Sequence, residues 1–92
     1  MGGALHPGDS LAQCQYAWLE IRTRLQRQGA GLPDIVRSII SVTEVRNVVA
    51  NHTCRQDVFG AGPYPPQTFL VVSAMVRPGI LVEIEVTAVT PK

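Results

Sequence analysis

The clearest pattern in the chain is an apolar stripe at helical spacing near its N-terminus. The stripe consists of Leu11, Cys14, Trp18, Ile21 and Leu25, and the polar side chains that fall outside it are Gln13, Glu20, Arg24 and Arg27. Intervals of three and four residues predict an amphipathic helix over residues 10–28. Asp9 or Ser10 is expected to cap its start, and Gly29 and Gly31 are expected to end it.

A β-branched segment and a second helical pattern follow. Residues 35–43 are apolar with few breaks, which predicts a central strand covered on both faces. Residues 47–59 contain a second stripe at helical spacing, which is more polar than the first. This pattern predicts a second helix. Residues 60–66 contain three prolines and must form a loop, because proline lacks an amide donor and fixes its own φ.

The last quarter of the chain contains two strand-forming runs. Residues 68–76 and 80–90 are separated by a short stretch with Pro78 and Gly79, so the pattern predicts a β-hairpin. Glu83 and Glu85 lie two residues apart in the second run, which puts both carboxylates on one face of the strand. Acidic side chains in a strand rich in valine and isoleucine require an explanation.

Composition favours a small oligomeric protein. The chain has 92 residues, of which 46% are hydrophobic and 16% charged, with a net charge of +1. One domain of this size buries little surface by itself, so part of the apolar surface is expected to face other subunits. No apolar run is long enough to cross a bilayer and no leader pattern opens the chain, so we expect a cytoplasmic protein without a membrane partner. The basic residues are scattered, which argues against a nucleic-acid partner.

Cysteine and histidine give little sign of redox or metal chemistry. Cys14 and Cys54 are interpreted as reduced, packed thiols, because no secretory signal is present; a disulfide is the alternative. His6 and His52 have no third ligand at a suitable spacing, so no metal is expected.

Several short motifs in the right order resemble those of the RidA family, also called YjgF or L-PSP. The matching segments are Ala12-Gln13-Cys14, Asp34-Ile35-Val36, Val42-Thr43-Glu44, Tyr64 to Thr68, and Val82-Glu83-Ile84-Glu85. The resemblance implies an α+β, chorismate-mutase-like domain over residues 1–92, with two helices on one face of a mixed β-sheet and the bare face buried in a homotrimer. Members of the family carry further N-terminal strands, so this chain is expected to be a truncated member.

The same resemblance assigns candidate site residues. The family's substrate-binding arginine falls at Gln67, whose neutral amide cannot grip a carboxylate as a guanidinium does. Glu83 matches the position that holds a water for attack on a C=N carbon, and Phe69 is expected to narrow the cleft or stack on a ligand. The plainer alternatives are that Gln67 opens a strand, that Phe69 is core, and that Glu83 and Glu85 face solvent or pair with arginine side chains.

Three functions remain open from the sequence. The first is a RidA-like protein that binds a small carboxylic or imino acid between subunits without a cofactor, with deaminase activity weak or lost. The second is a cofactor-free hydrolase that converts imino or enamino acids to keto acids and ammonia. The third is a structural remnant of the fold without an active site.

Overall fold

The computed structural model describes residues 8–90, which form two α-helices and a three-stranded sheet. The elements are α1 (Ser10–Arg27), β1 (Ile35–Val42), α2 (Val48–Phe59), β2 (Gln67–Val71) and β3 (Val82–Ala88). Short 3₁₀ turns, Leu32–Asp34 and Val45–Asn47, precede β1 and α2. Both helices pack on one face of the sheet, so the predicted α+β architecture is confirmed.

The sheet is mixed, with β1 at its centre. β2 runs parallel to β1, and α2 provides the crossover that a parallel pair needs. β3 pairs antiparallel with the other side of β1, so Ile40 lies between Phe69 and Ile84. The central position of the first strand is therefore as predicted.

The predicted hairpin between the last two strands is wrong. β2 and β3 lie on opposite sides of β1 and are not paired with each other. The connection over residues 72–81 is held at the C-terminal end of β1, because the Val72 N–H donates to the oxygen of Val42, the last residue of β1, at 2.8 Å and the N–H of the following residue, Thr43, donates to the Leu81 oxygen at 3.2 Å. Both strands are also shorter than the predicted 68–76 and 80–90. β1 thus has a strand partner on each of its sides, an arrangement that the local turn signal at Pro78 and Gly79 does not reveal.

Only one face of the sheet is covered by the helices. Ile40 and Val42 of β1 face the helices and are 0% and 1% exposed. The opposite face, called the open face here, carries Ile39, Ser41, Thr68, Leu70, Glu83 and Glu85. The prediction that the first strand is covered on both faces is thus wrong within the chain. Both helices lie on the same side of the sheet and cover only that face.

The first helix has the predicted cap and stripe. The Asp9 side chain accepts a hydrogen bond from the Ala12 N–H at 2.9 Å, and Gly29 adopts a φ of +77° directly after the helix. Trp18 is 2% exposed and meets Phe59 of α2 edge to face, with ring centroids 5.0 Å apart. The stripe of α1 therefore lies in the core or against it.

The interpretation of the cysteines as free thiols is wrong. Cys14 of α1 and Cys54 of α2 form a disulfide, and both residues are at most 1% exposed. Beside it, the Gln15 side chain donates to the Asp57 carboxylate at 2.9 Å across the same pair of helices. Each cysteine lies on the inner side of its helix, but local spacing does not reveal that the two inner sides meet at this point.

Gln13 is buried although the helical pattern placed it outside the apolar stripe. It is 8% exposed, and its amide bridges the backbone just before β3. Nε2 donates to the Gly79 oxygen at 2.9 Å, while Oε1 accepts from the Leu81 N–H at 2.8 Å. The amide thereby fixes α1 to the loop that leads into β3.

Substituting Trp18 by alanine is expected to lower the free energy of unfolding by about 3 to 5 kcal/mol, because a fully buried aromatic leaves a cavity. The adjacent Leu19 is 55% exposed on the same helix, so Leu19→Ala is the matched control and should change stability little. Urea unfolding followed by circular dichroism measures both. Equal losses in the two variants would contradict the packing described for α1.

Reducing the disulfide is expected to destabilise the domain. The cross-link spans 40 residues of sequence, and closing such a loop in the unfolded chain corresponds to about 4 kcal/mol in the chain-entropy description. Urea midpoints with and without a reductant measure the loss. The double variant Cys14→Ala, Cys54→Ala should show no response to reductant, and a wild-type midpoint that also fails to respond would contradict the cross-link.

Candidate functional site

The start of β2 is fixed by hydrogen bonds to the residues before it. Ser38 of β1 donates to the Pro66 oxygen from its backbone N–H at 2.9 Å and from its hydroxyl at 3.1 Å. The Arg55 guanidinium of α2 donates to the Pro65 oxygen at 2.6 Å. Gln67, the first residue of β2, therefore has a well-defined backbone position.

Gln67 and Phe69 both lie on the face of the sheet that the helices cover. Gln67 lies opposite Ser38 and Phe69 opposite Ile40, and Phe69 packs partly buried against the core. The Oε1 atom of Gln67 is buried and has no hydrogen-bond partner among the described residues. Within one chain, these two side chains belong to the covered side of β2.

Glu83 and Glu85 lie on the open face, as their spacing predicts. Glu83 is opposite Ser41 and Glu85 is opposite Ile39, and both glutamates are exposed. Glu83 and Gln67 are thus on different faces and on the two outer strands of the sheet. A cleft that contains both side chains requires two copies of the chain.

A cavity of about 480 Å³ adjoins Glu83 and is called the Glu83 cavity here. It lies at the side of β3 that has no strand partner among residues 8–90, and it is bounded by both α1 and the open face. Its lining comprises Glu20, Arg24, Ile39, Ser41, Glu83, Ile84 and Glu85. The described lining residues therefore supply three carboxylates, one guanidinium and two isoleucine side chains.

The two cavity residues on α1, Glu20 and Arg24, belong to a linked group of polar side chains on that helix. The Tyr16 hydroxyl donates to one oxygen of Glu20 at 3.2 Å, and the Arg24 guanidinium lies 3.5 Å from the other. The negative charge of Glu20 raises the pKa of Tyr16, because it disfavours a phenolate beside it. Sequence reasoning missed Glu20 and Arg24, since helical spacing shows that they lie outside the stripe but not that this side of α1 borders β3.

The described residues offer no metal site. Residues 8–90 contain no group of three histidine, cysteine or acidic side chains arranged to hold an ion. His52 is exposed on α2, and His6 lies outside the described residues. Neither described helix is long and apolar enough to cross a membrane.

Comparison with known proteins defines the family. The model of the family described as Endoribonuclease L-PSP matches residues 1–90, and the solved structures below include members of the YjgF and Rid families. The chain belongs to this L-PSP family, which is also known as the YjgF or RidA family. No curated protein matches the sequence.

Three solved structures illustrate the similarity. A YjgF/YER057c/UK114 family member from Mycobacterium tuberculosis is 35% identical, with a TM-score of 0.81 over 87% of this chain and 67% of its own. A Rid family protein from Yersinia pestis is 30% identical, with a TM-score of 0.84 over 91% of this chain and 66% of its own. A protein of unknown function from Pseudomonas aeruginosa is 30% identical, with a TM-score of 0.83 over 87% of this chain, which spans 57% of its length.

Proposed function

We propose that this chain is a RidA-family protein that binds a small imino or carboxylic acid at an interface between subunits, and that Glu83 is the central residue of the site. The observation that carries the proposal is the position of Glu83 on the open face of the family fold, at the edge of a cavity of about 480 Å³. Gln67 and Phe69 lie near the start of the outer strand β2, and a neighbouring copy that meets the open face with this strand edge is proposed to bring them into the cleft. No cofactor is needed for this binding.

The chemistry available to Glu83 is proton transfer with water. Its carboxylate would accept a proton from a bound water as the water oxygen bonds to the C=N carbon, and would pass that proton to the imine nitrogen to give the neutral carbinolamine. The same carboxylate would then take the hydroxyl proton of the carbinolamine and deliver it to the nitrogen, so that the C–N bond breaks, the keto group forms and ammonia leaves. One water is consumed and the carboxylate of Glu83 is regenerated.

Gln67 is the reason to expect that this reaction is weak. An arginine at this position would offer a charged, bidentate partner for the substrate carboxylate, whereas a glutamine amide donates one uncharged hydrogen bond. The difference in substrate fixation corresponds to a loss of roughly 10² to 10⁴ in rate. Binding without efficient turnover is therefore our first proposal, and the deaminase is the second.

The open face favours assembly into an oligomer. We propose a homotrimer, as the family resemblance implies. Leu70 is 44% exposed on this face, and Ile39, diagonal to it on β1, is only half-buried. Covering apolar strand surface with another copy removes it from water and hides the sheet from nonspecific pairing. The nuclease in the family description is not proposed for this chain, whose net charge is +1 without a basic cluster in the sequence.

Hydrolysis of freshly generated 2-iminopropionate tests the catalytic part. We expect little ammonia release from the wild-type chain, a gain of about tenfold or more in Gln67→Arg, and loss of that gain when Glu83→Ala is added. Glu44→Ala is the matched control, because this acid is exposed and does not line the Glu83 cavity. Efficient wild-type turnover would favour the deaminase, and a Glu83→Ala variant with unchanged activity would contradict the site.

Light scattering at micromolar concentration tests the oligomer. The wild-type chain should have the mass of three 10.0 kDa chains, and Leu70→Glu should shift it towards the monomer by placing charge on the open face. Val49 is 72% exposed on α2, so Val49→Glu adds the same charge on the helical side and should leave the mass unchanged. A monomeric wild type, or dissociation by Val49→Glu alone, would contradict this arrangement.

A further inference from the structure

The two helices are attached to the rest of the domain by different means. α1 packs its apolar stripe on the sheet, and the Gln13 amide bonds it to the loop before β3. All of α2 is described, and its buried residues are Asn51 and Cys54, so Cys54 is the one buried apolar residue of this helix. Val58 and Phe59 near its end are only partly buried against the core. α2 therefore has little apolar anchorage apart from the disulfide that joins it to α1.

The start of α2 is also weakly held. Asn47, the residue before the helix, makes no capping hydrogen bond with its side chain. Its Nδ2 atom is buried without a partner among the described residues, which costs free energy in the closed structure. Local opening of a protein begins at elements with few buried apolar contacts, so α2 is the element expected to open first when no cross-link holds it.

We infer that Cys14 and Cys54 form a reversible redox switch. In the oxidised state the disulfide holds α2 against α1. In the reduced state α2 and the loop that follows it, residues 60–66, open while α1 stays on the sheet. Opening then costs only the weak contacts of α2 itself, because the cross-link no longer limits its movement. The switch is a property of the fold and does not depend on the proposed function.

The opening is expected to reach the start of β2 and to end there. Arg55 of α2 donates to the Pro65 oxygen at 2.6 Å, and its guanidinium lies 4.9 Å from the centre of the Tyr64 ring. Both contacts are lost when α2 moves, so the loop loses its side-chain connection to the helix. Ser38 of β1 still holds the Pro66 oxygen by two hydrogen bonds, which keeps β2 paired with β1.

Reduction is a thiol–disulfide exchange with a dithiol. One thiolate of the dithiol attacks a cysteine sulfur, which breaks the S–S bond and forms a mixed disulfide with release of the other cysteine thiolate. The second thiolate then closes the dithiol's own disulfide and releases the first cysteine. The two cysteines gain the two electrons and two protons that the dithiol loses, and a low-molecular-weight disulfide reverses the steps. Because both cysteines are at most 1% exposed, the attack must follow a transient opening of α2.

Hydrogen exchange of the backbone amides, measured by mass spectrometry on the full chain with and without dithiothreitol, tests the switch. On reduction, exchange in Val48–Phe59 and in residues 60–66 should become at least about tenfold faster, while exchange in β1 and β3 should change by less than about twofold. Glutathione disulfide, added without denaturant, should restore the slow exchange of α2.

Two variants serve as controls. The double variant Cys14→Ala, Cys54→Ala should exchange like the reduced wild type and respond to neither reagent. Gln15→Ala removes the hydrogen bond to Asp57 across the same two helices but keeps the disulfide, so its α2 should exchange like that of the oxidised wild type.

Three results would overturn the switch. Faster exchange throughout α1, β1 and β3 on reduction would make the disulfide a staple of the whole fold. Unchanged exchange in α2 after complete reduction, checked by the mass of the intact chain, would show that the helix does not depend on the cross-link. A disulfide that dithiothreitol reduces only in urea, or that does not re-form in the folded chain, would not be reversible under native conditions. None of these measurements involves a ligand or turnover, so their outcome is separate from that of the proposed function.

Discussion

The rest of this structure depends on one constraint, which is that two helices can cover only one face of the sheet. β1 is mostly apolar on the covered face and partly apolar on the open one, where Ile39 is a diagonal neighbour of Leu70 of β2. The covered face is closed by contacts between the helices, including the Cys14–Cys54 disulfide and the edge-to-face pair of Trp18 and Phe59. The open face is left with apolar surface and with the acids of β3.

The candidate site follows from the same constraint. The alternation of side chains along a strand places Glu83 on the open face and its neighbours Val82 and Ile84 towards the helices. Gln67 and Phe69 are on the covered face of the other outer strand, so one chain does not bring them to Glu83. The open face therefore acquires a site only through the cavity beside β3 or through a second copy.

Local patterns in the sequence predicted those parts of the fold that depend on neighbouring residues. The stripe through Trp18 and the cap at Asp9 defined α1, and the β-branched run defined the central strand. The hairpin was wrong because Pro78 and Gly79 predict a turn but do not reveal that β1 lies between the two strands. The disulfide was not predicted for the same reason, because it joins two residues that are far apart in the sequence.

The candidate site was predictable only in part for the same reason. Glu83 and Glu85 could be placed on one face from their spacing alone, since that relation is local. The bridge from Gln13 to Leu81 spans 68 residues of sequence, and the position of Arg24 beside β3 depends on how α1 lies across the sheet. Such relations between elements have no periodic signature in a single sequence.

The central claim is that the open face is the interacting and functional face of this protein. An experimental structure of the chain as it assembles in solution tests this most directly. The account predicts that Ile39 and Leu70 lie in van der Waals contact with a neighbouring copy and that Glu83 borders a cleft formed with it. A structure in which copies meet through the outer sides of α1 and α2, with the open face bare to solvent, would contradict it.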